Sequence, residues 1–152
     1  LYGIHSLMVL LYTGMRLGEL ASMKIESENN YTFITCETEK IRKGYAAVRR
    51  RIPISPMFRK VWDMIDFEKA KVASSKTLSD TIKKVFPERH VHELRYTFIS
   101  RCKECGCNLE LVMLWDGHEF DKDVRTSKVD RGYTQYSDEI YFGDIEKVNY
   151  EL

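Results

Sequence analysis

Apolar residues recur along most of this chain at the three- and four-residue spacing of amphipathic helices. This spacing predicts helices over residues 5–12, 17–23, 58–65, 78–86, 94–105, 109–113 and 140–148. The helix over 109–113 would bury Leu109, Val112 and Met113. Two other stretches, 31–36 and 48–54, are rich in β-branched and aromatic residues, which is typical of strands. We therefore expect an α+β fold, mainly helical with a small antiparallel hairpin.

Residues with special backbone or capping properties mark the ends of these elements. Gly14 and Gly106 suit the left-handed position that follows a helix. Ser75 and Asn108 have side chains that cap a helix N-terminus. Pro53 cannot donate to a sheet ladder, which predicts that the second strand lies at an edge or ends there.

The length of 152 residues fits one domain that can fold without disulfides or metals. Three of the four cysteines crowd into positions 102–107, which is not a disulfide framework. The chain has neither a signal peptide nor a run of 18 apolar residues. We therefore expect a soluble cytoplasmic protein with no membrane span. The first helix starts without a cap, so we expect that part of the natural domain precedes residue 1.

The cysteine pattern invites comparison with a metal site, because a Cys-x-x-Cys pair can donate two thiolates. A four-ligand zinc site needs a further pair of ligands at sensible spacing, and the sequence does not supply one. Cys102 and Cys105 instead fall on the apolar stripe of their helix. We therefore predict that they pack in the core and that no metal is bound.

The formal net charge of +1 hides an uneven distribution of charge along the chain. Residues 40–51 carry no acid, whereas most charges of the last fifteen residues are acidic. A basic run of this kind can follow a phosphate backbone, or it can be the solvated face of a hairpin. Both interpretations remain open for the basic residues of the run, which are Lys40, Arg42, Lys43, Arg49, Arg50 and Arg51.

Two separate segments carry residues that can hold an anion. His92 and Arg95 are three residues apart on a predicted helix, so both side chains can meet one ligand. Arg16 lies where one predicted helix ends and the next begins, a junction with free backbone N–H groups. The alternatives are a solvated polar face for the first pair and, for Arg16, a surface ion pair with Glu19 or Glu26.

Taken in order, four segments resemble the conserved boxes of the tyrosine recombinases, the phage-integrase family. The resemblance covers nearly the whole chain, and jointly the boxes are highly specific. The segments are Thr13-Gly-Met-Arg-Leu-Gly-Glu-Leu20, His92-Glu-Leu-Arg-Tyr-Thr-Phe98, Gly117-His118 and Tyr133-Thr-Gln-Tyr-Ser-Asp-Glu139.

The resemblance implies a role for each matching residue. Arg16 and Arg95 correspond to the two arginines that grip the scissile phosphate. His92 would accept the proton of the nucleophile or hold the phosphate, and His118 would hydrogen-bond a non-bridging oxygen. Residues 1–152 would form the catalytic domain, without the family's N-terminal DNA-clamping domain.

The nucleophile and the general acid are each open between two residues. Tyr133 best matches the attacking tyrosine, because threonine and then a final helix follow it, and Tyr136 is its competitor. Lys40 best matches the lysine that protonates the leaving oxygen, with Lys43 as its rival.

The sequence also departs from the family pattern. The stretch from residue 119 to 131 is longer than usual, Gln135 replaces a common histidine, and Trp115 and Asp116 replace leucines. We expect the last two changes to alter packing more than chemistry.

The reaction implied is cleavage and rejoining of double-stranded DNA through a 3′-phosphotyrosyl link, without metal or ATP. The family works as a homotetramer on DNA that exchanges C-terminal segments, in a bacterial cell or a phage-infected host. Two alternatives share parts of this reading. One is a DNA-binding module without catalysis, and the other is a type IB topoisomerase-like enzyme that relaxes DNA.

Overall fold

The structure is a computed structural model that describes residues 3–39, 48–118 and 136–149. These residues form seven α-helices, three short 3₁₀ helices and one small sheet, so the fold is α+β. The α-helices are α1 (Ile4–Thr13), α2 (Pro56–Val61), α3 (Phe67–Ala70), α4 (Ser75–Val85), α5 (Glu93–Glu104), α6 (Leu109–Asp116) and α7 (Asp138–Gly143). The 3₁₀ helices are Leu17–Ser22, Trp62–Met64 and Asp144–Lys147.

The sheet is antiparallel, with the order β1 (Lys24–Glu28), β2 (Tyr31–Glu37) and β3 (Arg49–Pro53). The predicted strands correspond to β2 and β3, and β3 ends at Pro53 on the edge of the described sheet. Strand β1 was not predicted. All five of its side chains are exposed, so it has no apolar face for a sequence pattern to reveal. Asn29 and Asn30, with φ of 51° and 68°, form the two-residue turn from β1 to β2.

Both faces of the sheet are covered by helices. Neighbouring side chains of a strand point to opposite faces, so Ile34 and Phe33 belong to two different clusters. Ile34 packs in the larger cluster, which is built around α1 and includes Phe58. Phe33 packs in the second cluster with side chains of α6 and α7, among them Trp115 and Tyr141. The strand that carries the basic residues is thus held between two cores.

Most of the predicted helix boundaries are confirmed. Gly14 and Gly106 have φ of 69° and 82° at the ends of α1 and α5. The side chain of Asn108 accepts hydrogen bonds from two backbone N–H groups of α6, as its capping role requires. The cap of α4 is Ser74 rather than the predicted Ser75, because the Ser74 hydroxyl accepts the N–H of Thr77.

The predicted inner face of α6 is only partly correct. Val112 is buried, whereas Leu109 is 54% exposed and Met113 is half-buried. The helix contacts both α5 and β3, so its buried surface is wider than one stripe. That surface includes Leu114 and Trp115. Within the described part of the chain, no helix is long and apolar enough to cross a membrane.

Candidate active site

Arg16 lies at the predicted junction between two helices. Its backbone N–H donates a 2.7 Å hydrogen bond to Glu19 Oε1, and its guanidinium Nη1 is 3.7 Å from Glu19 Oε2. The expected ion pair with Glu19 is therefore present, but Arg16 is only 5% exposed. Glu19 is completely enclosed and so acts as an internal counter-charge rather than as a surface partner.

Arg50 shares this counter-charge. Its guanidinium donates two hydrogen bonds of 2.6 Å to the two oxygens of Glu19. Its Nε donates to the carbonyl oxygen of Trp115 at 2.8 Å, and its Nη1 donates to the Thr38 hydroxyl at 3.1 Å. The Arg50 side chain is completely buried, which corrects the expectation that it contacts DNA from the surface of the hairpin.

Arg95 joins the C-terminal ends of two helices. Its Nη1 donates to the carbonyl oxygens of Gly14, after α1, and of Asp116, the last residue of α6. Helix C-termini carry partial negative charge, which stabilises a guanidinium there. Burial, together with the positive charges of Arg16 and Arg50, lowers the pKa of Arg95 to about 10, against the opposing effect of Asp116. Arg95 therefore stays cationic at neutral pH and lies close to both other arginines.

His118 contacts a buried carboxylate. Its Nδ1 lies 2.8 Å from Asp116 Oδ2, and its backbone N–H donates to Asp116 Oδ1 at 2.8 Å. The Asp116 side chain is 1% exposed, and the His118 side chain is 37% exposed. Asp116 was expected to affect packing more than chemistry, but its oxygens contact a predicted site residue directly.

Gly117 allows the end of α6 to approach the arginines. Its φ of 85° is in the left-handed region, and a Cβ here would lie 3.1 Å from Arg50 Cζ and 3.3 Å from Arg16 Nη1. Any other residue would therefore push against two guanidiniums. Glycine at this position brings His118 next to the arginine cluster, which we define as Arg16, Arg50 and Arg95.

The cluster brings cationic and anionic side chains into one buried site. Among the described residues, the buried arginines lie with the buried carboxylates of Glu19 and Asp116, and the charge of Glu39 also acts on Arg16. Guanidinium groups bind phosphate oxygens through paired N–H donors, which makes a phosphodiester a suitable ligand.

His92 differs from the arginine cluster in its exposure to solvent. It is exposed at the start of α5, and its ring lies edge-on to Tyr96 with 5.1 Å between centroids. It lines a cavity of about 260 Å³ together with Met15, His90 and residues of α4. His92 and Arg95 are thus neighbours on the helix, but one is exposed and the other is buried.

The described basic residues of the hairpin differ in their surroundings. Arg49 is part-exposed and donates to the carbonyl oxygen of Ser22 and to the Thr35 hydroxyl. Arg51 lies about 5 Å from the ring centroids of Tyr141 and Phe142 and pairs with Asp138. Both are therefore engaged within the fold while they keep part of their side chains exposed. Three further predicted residues, Lys40, Arg42 and Lys43, lie outside the described residues.

The two candidate tyrosines are distinguished by Glu110. Tyr136 hydrogen-bonds to Glu110, and burial together with this carboxylate raises the pKa of Tyr136 to about 12. Glu110 lies in the first turn of α6 and Asp116 ends the helix, so about 9 Å of helix separates Tyr136 from the arginine cluster. Tyr133 lies outside the described residues.

Other features of the described residues lie apart from this cluster. A cavity of about 550 Å³ is lined by residues of the β1–β2 turn, α2 and α7, and none of the predicted site residues is among them. Cys102 is fully buried and Cys105 is half-buried, and Cys102 contacts Cys107. No group of three or more His, Cys, Asp or Glu side chains is arranged for a metal ion within the described ranges.

Comparison of the chain with protein-family models, with curated proteins and with solved structures found no match.

Proposed function

We propose that this chain is the catalytic domain of a tyrosine-type site-specific DNA recombinase, or integrase. The observation that carries the proposal is the convergence of Arg16, Arg95 and His118 at the ends of α1 and α6. These residues are far apart in the sequence, and each matches a phosphate-binding position of the family that the chain resembles. If the short motifs matched the family only by chance, these three residues would have no reason to lie close together in the fold.

The electrostatics of the cluster support a phosphodiester as the ligand. Three guanidiniums lie close together at this site, and the phosphate of a DNA strand supplies an anion that such groups bind. The transition state of phosphoryl transfer carries more negative charge than the ground state, so the fixed guanidiniums of Arg16 and Arg95 stabilise it preferentially. Loss of one such donor typically lowers the rate by roughly 10²–10³.

Tyr133 is the proposed nucleophile. The Tyr136 hydroxyl is bound to Glu110 and has a raised pKa, both of which oppose attack on a phosphate. Tyr133 precedes Tyr136 by three residues, and three residues of chain span at most about 10 Å. A tyrosine with an ordinary pKa near 10 still needs a base to take its proton.

A lysine of the hairpin is the proposed general acid. The backbone N–H of Glu39 donates to Glu19 Oε2 at 2.8 Å, so the chain that leads into Lys40 starts beside the arginine cluster. Lys40, with Lys43 as its rival, would protonate the leaving 5′ oxygen. The covalent 3′-phosphotyrosyl link conserves the energy of the phosphodiester, so rejoining needs neither ATP nor a metal.

The DNA-binding surface proposed for the hairpin consists of Arg42, Lys43, Arg49 and the exposed part of Arg51. Arg50 serves the site from the interior. The resemblance also suggests a homotetramer on DNA that exchanges C-terminal segments. Tyr141 and Phe142 of α7 are buried in the chain's own core, so we propose an exchange that leaves α7 in place.

The proposal is tested by covalent capture of a nicked suicide duplex, which loses a short fragment on cleavage and cannot be rejoined. We expect a protein–DNA adduct that survives denaturing detergent, and binding that weakens steeply with salt. Binding without an adduct would identify a non-catalytic DNA-binding module instead. An adduct together with relaxation of supercoiled plasmid, but with no exchange between sites, would identify a topoisomerase-like enzyme.

A further inference from the structure

The contact between Asp116 and His118 has a chemistry that phosphate binding alone does not require. Asp116 is buried, one of its oxygens accepts the backbone N–H of His118, and the other lies 2.8 Å from His118 Nδ1. That second oxygen is buried and has no well-aligned hydrogen-bond donor among the described residues, and His118 Nδ1 lies at contact distance from it. We propose that Asp116 and His118 form an acid–base dyad in which His118 Nε2 accepts the proton of the attacking tyrosine. This inference rests on the proposed function.

The contact with Asp116 favours one nitrogen of the ring as the site of the proton. A buried carboxylate oxygen needs a donor, and His118 Nδ1 is within hydrogen-bond distance of it. A neutral imidazole protonated at Nδ1 has its free lone pair at Nε2. The His118 side chain is 37% exposed, so a bound substrate can reach the ring. Asp116 is therefore a positioning residue, and His118 is the group that exchanges the proton.

The surrounding charges explain why a carboxylate is needed here. When His118 takes a proton it becomes a further cation beside the arginine cluster. Arg16, Arg50 and Arg95 oppose that change, and only a nearby negative charge can offset them. Asp116 Oδ2 lies 2.8 Å from His118 Nδ1, and the other oxygen, Oδ1, lies 3.9 Å from Arg95 Nη2.

His92 is the other candidate for this proton, since the resemblance gives it that role. His92 is exposed, and its ring lies edge-on to Tyr96 beside a cavity that Met15 and Leu17 also line. His118 instead has a buried carboxylate at 2.8 Å and lies beside the arginine cluster. An imidazole with a fixed tautomer and an adjacent negative charge is the better proton acceptor.

The proposed step conserves atoms and charge. The Tyr133 hydroxyl gives its proton to His118 Nε2 while its oxygen forms a bond to phosphorus. The bond from phosphorus to the 5′ oxygen breaks, and that oxygen takes a proton from the hairpin lysine. In the rejoining step the protonated Nε2 returns its proton to the tyrosine oxygen.

Ring tautomers test the dyad directly and without DNA. In ¹⁵N-labelled protein, long-range ¹H–¹⁵N correlation spectra distinguish protonated from bare ring nitrogens, and the His118→Gln variant assigns the His118 signals among the four histidines. In mildly alkaline buffer, where imidazole rings are neutral, we expect His118 to carry its proton on Nδ1. A proton on Nε2, or a mixture of both tautomers, would overturn the dyad.

The Asp116→Asn variant, which is nearly the same size, should reverse the tautomer. The backbone N–H of His118 requires a carbonyl acceptor, so the amide oxygen of the introduced asparagine takes that position and its NH₂ group faces Nδ1. Nδ1 must then accept, and the proton moves to Nε2. An unchanged tautomer in a folded variant would contradict the geometry.

A double-mutant cycle on covalent capture connects the dyad to the reaction. We expect Asp116→Asn to lower the capture rate by roughly 10²-fold and to cause no further loss in a His118→Gln background. Equal losses in both backgrounds would mean that Asp116 acts through Arg95, and the dyad role would be rejected. If the unaltered protein forms no adduct at all, the proposed function fails, whereas the tautomer measurement still decides the dyad.

Discussion

The carboxylate of Glu19 holds the guanidinium of Arg50 through two hydrogen bonds of 2.6 Å, with both side chains completely excluded from solvent. The same carboxylate accepts the backbone N–H groups of Arg16 and Glu39. One buried group therefore connects the first arginine of the site, the strand β3 and the beginning of the basic hairpin.

Removal of Arg50 should cost far more stability than removal of its neighbour Arg49. The Arg50→Met variant leaves Glu19 buried without its main partner, which we expect to lower the free energy of unfolding by about 3–5 kcal/mol. The matched Arg49→Met variant removes a part-exposed guanidinium and should cost no more than about 1 kcal/mol. Chemical denaturation measures both values. Equal losses would show that the buried pair has no special structural role.

The stability that Glu19 contributes should disappear in acid. Burial raises the pKa of Glu19, but the hydrogen bonds and charge of Arg50 outweigh burial and leave the pKa below its ordinary 4.5. A carboxyl with a lowered pKa in the folded state stabilises the protein above its unfolded pKa, and this contribution is lost as the pH falls through the folded pKa.

We therefore expect the difference in unfolding free energy between the unaltered protein and Glu19→Gln to be largest above about pH 5. The difference should shrink as the pH falls below 4.5. Denaturation curves at a series of pH values measure it, and a difference that stays constant into strong acid would contradict the assignment.

Gly117 and Gly106 offer a matched pair of glycines. Both have left-handed backbone, but a Cβ at Gly106 meets nothing within 4 Å, whereas one at Gly117 meets Arg50 and Arg16. Gly106→Ala should cost about 1 kcal/mol for the backbone conformation alone and leave DNA cleavage unchanged. Gly117→Ala should cost more and also slow covalent capture, because it displaces the guanidiniums. Identical effects of the two variants would refute the close approach.

Arg95→Lys tests whether the guanidinium itself is required. A lysine keeps the positive charge but lacks the planar set of N–H donors of a guanidinium. The Arg95 guanidinium binds the carbonyl oxygens of Gly14 and Asp116 and, in the proposed function, also a phosphate. We expect capture to fall by roughly 10²–10³, with DNA binding largely retained. The control is Arg101→Lys on the exposed side of the same helix, where the guanidinium pairs with Glu104 at the surface. A near-normal capture rate for Arg95→Lys would reject the clamp.

The parts of the fold that were predictable have local signals. Helix α1 is an apolar run that ends at a glycine, and α6 has a capping asparagine at one end and a glycine at the other. Strand β1 gave no such signal, because its side chains are exposed and only the Asn29-Asn30 turn marks it. Strand propensity and hydrophobic periodicity reveal strands that bury one face, so they do not reveal a strand whose side chains are all exposed.

The interior of the site was less predictable, because it depends on contacts between distant residues. Arg50 belongs to a run of basic residues and was assigned to the surface. Arg50 and the buried Ile52 are two residues apart in β3, so their side chains lie on the same face of the strand. That spacing was the available sign that Arg50 points inward. Glu19 and Asp116 could not be identified as counter-charges until α1, α6 and β3 were brought together.

The most direct test of the account is to identify the residue that becomes linked to DNA. After capture of the suicide duplex, protease digestion and mass spectrometry of the DNA-bound peptide locate the phosphotyrosine. We expect the link at Tyr133, attached to a 3′ phosphate, with Tyr133→Phe abolishing it and Tyr136→Phe leaving it intact. A link at Tyr136, or no covalent link while the DNA is bound, would contradict the account.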